Sequence, residues 1–355
     1  MPGETPEAVF MLNKYNDKKP RNQAMYKMLY KHVGEKTVER VKDCNSFMSF
    51  IADKDSGKLK QVAGNSCKNR FCPICMFRMS RKDALKIQIM IQHLKEKHDM
   101  AFIMATFTAP NVKGHELKNE IDRFSKASKK MMERKEVVNM NKGYIRKLEV
   151  TYNSDPVITK EMWNGSSGRK PMKEYFKRKG LKIGDANPNY DTYHTHYHVI
   201  FAVKKSYFKD SRSYISQDRW LNLWREAMDD VSITQVDVRK LKMVDGKGGD
   251  VSEIAKYVAK DSDYLISQEV FDVFYTSLKG RQIITYNKLF KEANKMYKAG
   301  ELDHYKTPDT TEYVNMLYYT WGGKVYNETE RRALTEEEKV EYNGHLVNEI
   351  EIDSG

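Results

Sequence analysis

The sequence predicts an α+β protein in which a central antiparallel sheet carries helices packed on one face. Three observations predict it. Short apolar or alternating runs at 101–109, 144–152, 193–203 and 233–241 have the period of strands. Helical patterns lie between or after them, at 114–138, 217–228 and 252–264. No stretch repeats at a fixed interval, which sets solenoids aside.

The elements follow in chain order. Residues 1–43 are basic and helix-like, with Lys14, Lys18, Lys19, Arg21, Lys27, Lys31, Lys36, Arg40 and Lys42 facing few acids. Such a stretch serves either as a solvated helix surface or as an arm on a polyanion. Residues 44–80 hold every cysteine among turn-forming Gly, Asn and Pro. Ser80 is placed to cap the next helix, whose apolar side is Leu85, Ile87, Ile89, Met90, Ile91 and Leu94. AFIMATFTA (101–109) follows polar Lys97-His98-Asp99 and reads as a buried strand. YIRKLEVTY (144–152) alternates as a half-buried strand does. Residues 154–192 are rich in Gly, Pro, Asn and Lys without a clean period, which predicts a long surface excursion. YHTHYHVIFAV (193–203) is the clearest strand, and 217–228 is a helix with Trp220, Leu221 and Trp224 on one side. A strand at 233–241 and a turn at 245–249 precede the helix 252–264, and the chain stays helix-rich to about residue 300. Residues 328–353 carry nine acids against three bases, which predicts a solvated, partly disordered tail. The expected segments are therefore a basic, cysteine-bearing region at 1–98, a core at 99–265, a helical region at 266–327 and an acidic tail at 328–355.

The chain has 355 residues, roughly two domains' worth, and a net charge of +13. That balance favours a polyanionic partner, nucleic acid first and an anionic membrane second. No run of about 18 apolar residues exists to cross a bilayer. Met1–Leu12 mixes Glu4 and Glu7 with a short apolar patch, unlike a secretory leader. Four cysteines in a chain of this size without a leader do not read as a disulfide framework, so the expected compartment is a reducing cytoplasm.

Three of nine histidines, His194, His196 and His198, fall within five residues. On a strand they all point to one face, while Tyr193, Thr195, Tyr197, Val199, Phe201 and Val203 take the other. In the strand 144–152, Leu148, Val150 and Tyr152 alternate with Lys147, Glu149 and Thr151, so Glu149 can share the histidines' face. Imidazoles with a carboxylate suit a divalent cation that keeps positions open for substrate oxygens. In SEIAKYVAKDSDY (252–264), Ile254, Ala255, Val258 and Ala259 form an apolar stripe. Glu253 and Tyr257 stand one helical turn apart on the other side. A cation that polarises a phosphate, a tyrosine and a basic chain are the parts needed to cleave nucleic acid covalently.

The cysteines are spaced Cys44-x22-Cys67-x4-Cys72-x2-Cys75. Two thiolates in CPIC can reach one ion, and four satisfy tetrahedral zinc, which predicts a structural Zn²⁺. Lys68, Arg70, Arg78, Arg81 and Lys82 surround the cluster and suit a DNA backbone.

HTHYHVIFAV resembles the His-hydrophobe-His core of HUH endonucleases. KLEVTY before it, EIAKYVAK after it, LKGRQIITYNKLFKEA (278–293) and the cysteine region are similar to rolling-circle replication initiators of small bacterial plasmids, from about Cys44 to Ala293. The resemblance implies an HUH-type sheet with an N-terminal zinc-binding segment and a helical C-terminal region. It implies that Tyr257 nicks one strand at the double-strand origin, becomes joined to the 5′ phosphate and frees a 3′-OH primer. His196, His198 and Glu149 would hold Mg²⁺ or Mn²⁺, and Glu253 would activate the attacking group at termination. His194, one step outside the usual pair, receives no role. Two departures stand out: Thr195 where Pro is usual, and about 40 residues between Glu149 and His194, long for a hairpin joining ligands. No G-x-x-x-x-G-K-[ST] loop is present, so unwinding would fall to a host helicase. Single-stranded and duplex origin DNA are the expected partners, a homodimer is a candidate assembly, and no membrane is involved. The competing readings are an HUH transposase or relaxase and a non-catalytic, zinc-containing DNA-binding repressor.

Overall fold

A strand's own residues report how many of its faces are covered. In the computed structural model, which describes residues 6–54, 58–165, 171–241, 260–343 and 346, the strand Thr192–Lys204 changes character halfway. Val199, Ile200, Phe201, Ala202 and Val203 are fully buried, so both faces are covered there. Before Val199 the residues alternate: Tyr193, Thr195 and Tyr197 are buried, while His194 and His196 keep some exposure.

The chain divides into two compact units, Lys86–Leu302 and a second made of residues up to Leu85 with those from Asp303 onward. The first holds a five-stranded antiparallel sheet. Naming strands along the chain, it comprises β3 (Met100–Thr108), β4 (Gly143–Asn153), β5 (Thr192–Lys204), β6 (Asp237–Lys240) and β7 (Ile284–Lys288), in the order β6-β3-β5-β4-β7. Helices α4 (Leu117–Met132) and α8 (Gln217–Met228) pack on the face of Tyr197 and Phe201. Phe107 lies 5.1 Å from Trp224, Phe124 lies 5.6 Å from Tyr197, and Phe201 lies 5.5 Å from Trp220, ring to ring. Rings of this kind each contribute about 2–3 kcal/mol by burial, so they fix the sheet's closed face. The helix Gln268–Leu278 joins that face through Phe274 against Tyr193. Among the described residues, the opposite face is covered at its far end, where Phe102 meets Phe290 of the helix Leu289–Lys298.

The other unit holds a second antiparallel sheet, which the expectation of a single sheet omits. Its strands β1 (Phe47–Asp53), β2 (Leu59–Gly64), β8 (Tyr313–Trp321) and β9 (Tyr326–Ala333) lie in the order β2-β1-β8-β9. β1 and β2 sit among turn formers, and β1 finds its partner β8 only at the far end of the chain. Helix α1 (Pro6–Leu29) packs on this sheet, with Tyr15 edge-on to Phe50. The helix α2 (Glu35–Lys42) follows it.

Several expectations need correction. Ser80 is not a cap, because α3 runs unbroken from Pro73 to Lys97 with proline in its first turn, where the missing N–H costs nothing. Residues 154–192 are not simply a loop: α6 (Lys160–Asn164) and α7 (Lys173–Arg178) close around Ile158, Met162 and Phe176. Residues 328–333 belong to β9 and 336–342 form a helix. Arg331 pairs with Glu328 and Arg332 with Glu338, so opposite charges meet locally within an acidic stretch. β7 interrupts the helix-rich region, and β6 is shorter than 233–241. The turn at 245–249 lies outside the described residues.

Candidate active site and metal centre

Register places the site. Glu149 lies directly opposite His196, Lys147 opposite His198, and Thr151 opposite His194 across β4 and β5. On the other side, Thr106 faces His198 and Thr108 faces His196 across β3 and β5. Cross-strand partners share a face, so three strands bring three threonines, three histidines, Lys147 and Glu149 to one end of the sheet. Trp224 steadies this end by donating its ring N–H to the Thr108 carbonyl at 2.8 Å.

The contacts are specific. His198 Nε2 meets Glu149 Oε2 at 2.6 Å, and His198 Nδ1 meets Thr106 Oγ1 at 3.2 Å. His194 Nε2 is hydrogen-bonded to Thr108 Oγ1. The rings of His194 and His196 lie 4.1 Å apart. Among the described residues, no hydrogen-bond partner reaches the buried His196 Nδ1. A buried imidazole nitrogen normally has a partner, so an orphan of this kind suits a group that accepts its lone pair.

Electrostatics agree. Burial opposes charge on Glu149, yet the bond from His198 and the fields of His198, His196 and Lys147 hold its carboxyl down at about 2. Burial pushes His194 down to about 4 and, with the neighbouring His194, pushes His196 well below the usual imidazole range. Glu149 therefore presents a carboxylate and His194 and His196 neutral imidazoles, the protonation states that bind a divalent cation. These residues fit Mg²⁺ or Mn²⁺ by chemistry. Among the described residues the cysteines are the group of three or more ligands gathered within 4.8 Å.

Glu253 and Tyr257 lie outside the described residues. The chain that follows them is placed: Asp263 Oδ2 accepts the Tyr152 N–H at 3.1 Å, three residues along β4 from Glu149. Burial pushes the Asp263 carboxyl up to about 6, with the charge of Glu149 acting in the same direction. Sequence reasoning missed Asp263, Thr106 and Thr108, whose roles come only from register and tertiary placement.

The cysteines converge in the other unit. Cys44 and Cys67 each lie 3.5 Å from Cys75, and Cys72 lies 3.7 Å from Cys44, sulfur to sulfur. All four are buried and together could hold a metal ion such as zinc. Hydrogen bonds from Cys44, Cys67, Cys72 and Ser66 hold the Cys75 thiol far below its usual range. Backbone N–H groups of Cys67 and Asn69 point at the sulfurs of Cys44 and Cys67, each at 3.4 Å. Helix α1 supplies Asn22, whose Nδ2 reaches Cys72 Sγ at 3.4 Å. It also supplies Lys19, only 1% exposed, whose ammonium donates to the carbonyl of Cys44 at 2.6 Å and of Lys42 at 2.9 Å. A buried ammonium offsets the excess negative charge of a four-thiolate centre.

Known proteins agree with this picture. A family profile described as "Replication protein" matches residues 58–327. A "Protein rep" of Staphylococcus aureus is 43% identical over 259 residues, covering 73% of this chain and 97% of that one. A "Protein rep" of Bacillus amyloliquefaciens is 29% identical over 78% of this chain and 79% of its own. Another, from Lentilactobacillus hilgardii, is 30% identical over 76% of this chain and 77% of its own. No solved structure matches significantly.

Proposed function

This chain belongs to the Rep family of replication proteins, the rolling-circle initiators of plasmids, and we propose that it starts replication by nicking one origin strand with Tyr257. The Tyr257 oxygen attacks the scissile phosphorus. The Tyr257 hydroxyl gives up its proton as its oxygen bonds to the 5′ phosphate, the bond from phosphorus to the 3′ oxygen breaks, and that oxygen takes up a proton to become the 3′-OH primer. His196, His198 and Glu149 would hold Mg²⁺ or Mn²⁺, and the ion would supply positive charge to offset that on the phosphate oxygens. Thr106 and Thr108 orient the imidazoles by bonding His198 and His194. Glu253 acts at termination as the general base that activates the second attacker. Strand transfer closes the round, and a host helicase opens the duplex ahead of it. A structural Zn²⁺ on Cys44, Cys67, Cys72 and Cys75 would tie together the cysteine-bearing segment of one unit, and the unit Lys86–Leu302 is the catalytic core.

The observation that carries the reading is the register pair Glu149–His196 beside a buried His196 Nδ1 that no described residue bonds. Asp263 supports it, because it ties the chain just after Tyr257 to the strand that carries Glu149. The test is relaxation of a supercoiled plasmid bearing the cognate origin, with and without Mn²⁺. His196→Ala is expected to lose nicking by at least about 10²-fold while origin-duplex binding persists. Unchanged nicking by His196→Ala would place the metal site elsewhere, and origin binding by a wild-type protein that never nicks would favour a non-catalytic repressor.

A further inference from the structure

The long connection between Glu149 and His194 is a built module, and nothing in the proposed chemistry uses it. It leaves β4 after Asn153 and returns at Thr192, which are register partners. The pair that lies two residues inward is Thr151 and His194. The module therefore stands at the rim of the histidine site, within the same compact unit.

It has its own core. Ile158, Met162 and Phe176 are buried together, with Trp163, Met172, Tyr175 and Leu181 packed against them. The module is pinned to the sheet by Asn187, only 6% exposed, whose Nδ2 donates to Asn153 Oδ1 at 3.1 Å and to the Asp155 carbonyl at 2.8 Å. The Tyr152 hydroxyl fixes the returning chain by donating to Asp191 at 3.0 Å. A segment with a core and buried polar anchors presents its surface in a fixed place.

That surface is cationic. Between Lys173 and Lys182 stand five bases, Lys173, Lys177, Arg178, Lys179 and Lys182, against one acid, Glu174. All five bases are exposed. Glu174 reaches Lys177 at 3.7 Å as an exposed ion pair, which neutralises little. Lys179 lies 5.2 Å from the Tyr175 ring, so an aromatic face sits within the basic patch. Cations that track a backbone together with an aromatic face are the chemistry that holds single-stranded nucleic acid.

We infer that residues 171–191, anchored by 154–165, form a clamp that grips the phosphate backbone of single-stranded origin DNA beside the scissile phosphate, through the basic patch Lys173–Lys182. The inference rests on the nickase reading for its substrate. The clamp adds affinity without acting on the reacting phosphorus, so it affects KM and not kcat.

The test uses the full-length protein and two fluorescent single-stranded oligonucleotides, one spanning the replicon's nick site and one of oligo(dT) of equal length. Lys177, Arg178, Lys179 and Lys182 are changed together to Ala in one variant. A charge-keeping variant carries Lys177→Arg, Lys179→Arg and Lys182→Arg. Each phosphate contact to a single strand contributes about 0.7 to the slope of log affinity against log salt. The alanine variant is expected to lose about 2 to 3 from that slope and at least about tenfold in affinity for both probes. Its nicking rate at saturating oligonucleotide should stay within about twofold of wild type, and the arginine variant should keep both affinity and slope. An unchanged slope in the alanine variant overturns the clamp, as does an equal loss in the arginine variant. A wild-type protein that binds with the full slope yet never cleaves would count against the nickase reading and leave the clamp standing.

Discussion

A neutral imidazole offers a lone pair; a protonated one does not. Burial holds His194 at about 4 and His196 well below its usual range, so neither carries a proton near neutral pH. The alternation of His194, His196 and His198 is legible in the sequence, and so is the shared face of Glu149, because a strand's period of two is fixed by its backbone. The orphaned His196 Nδ1 is not legible, since it depends on which neighbours fail to reach it. Asp263 is equally hidden. Its carboxyl is raised by burial from 3.8 to about 6, so the unfolded chain releases this proton at lower pH than the folded one. The burial penalty is thus absent below about pH 3.8, grows as pH rises, and is complete above about 6. Asp263→Asn keeps an acceptor for the Tyr152 N–H and removes the charge. It is expected to stabilise the protein by about 1–3 kcal/mol at pH 7.5 and by almost nothing at pH 3.5, measured by denaturant unfolding at both values. Equal effects at the two values would mean that the charge of Asp263 is not what burial penalises.

Among the elements, local pattern decided some outcomes and distant pairing the others. The helix Gln217–Met228 carries its signal within itself, with Ser216 accepting the Arg219 N–H at its start and Trp220 and Trp224 fully buried. β1 and β2 carry little signal, because β1, which joins β2 to the rest of the sheet, pairs with β8 from the far end of the chain. The core of the 154–191 module is three buried residues, too few to show a period, and Ser80 was misread because proline at residue 73 starts the helix earlier. The cysteine spacing, by contrast, foretold convergence: four sulfurs meet although strands and helices intervene. Cys72→Ser is expected to lower bound zinc per chain and solubility together, because Cys72 is fully buried and faces Asn22 of α1. Metal analysis of the purified variant checks this, and full zinc content would remove Cys72 from the ligand set.

For the molecule as a whole, a net charge of +13 suits a protein whose partner is origin DNA. No helix among the described residues is long and apolar enough to cross a membrane. The candidate histidine site lies within Lys86–Leu302, and the cysteine cluster lies in the unit made of Met1–Leu85 and Asp303–Glu351. The proposed division of labour makes Tyr257 the point of attachment and Glu253 the residue that completes the round. The most direct test is to trap the reaction on a suicide oligonucleotide spanning the nick site and to map the adduct by peptide mass spectrometry. The account predicts a nucleotide-bearing peptide with the 5′ phosphate on Tyr257, absent from Tyr257→Phe and still formed by Glu253→Gln; an adduct on another residue, or one that survives Tyr257→Phe, would contradict it.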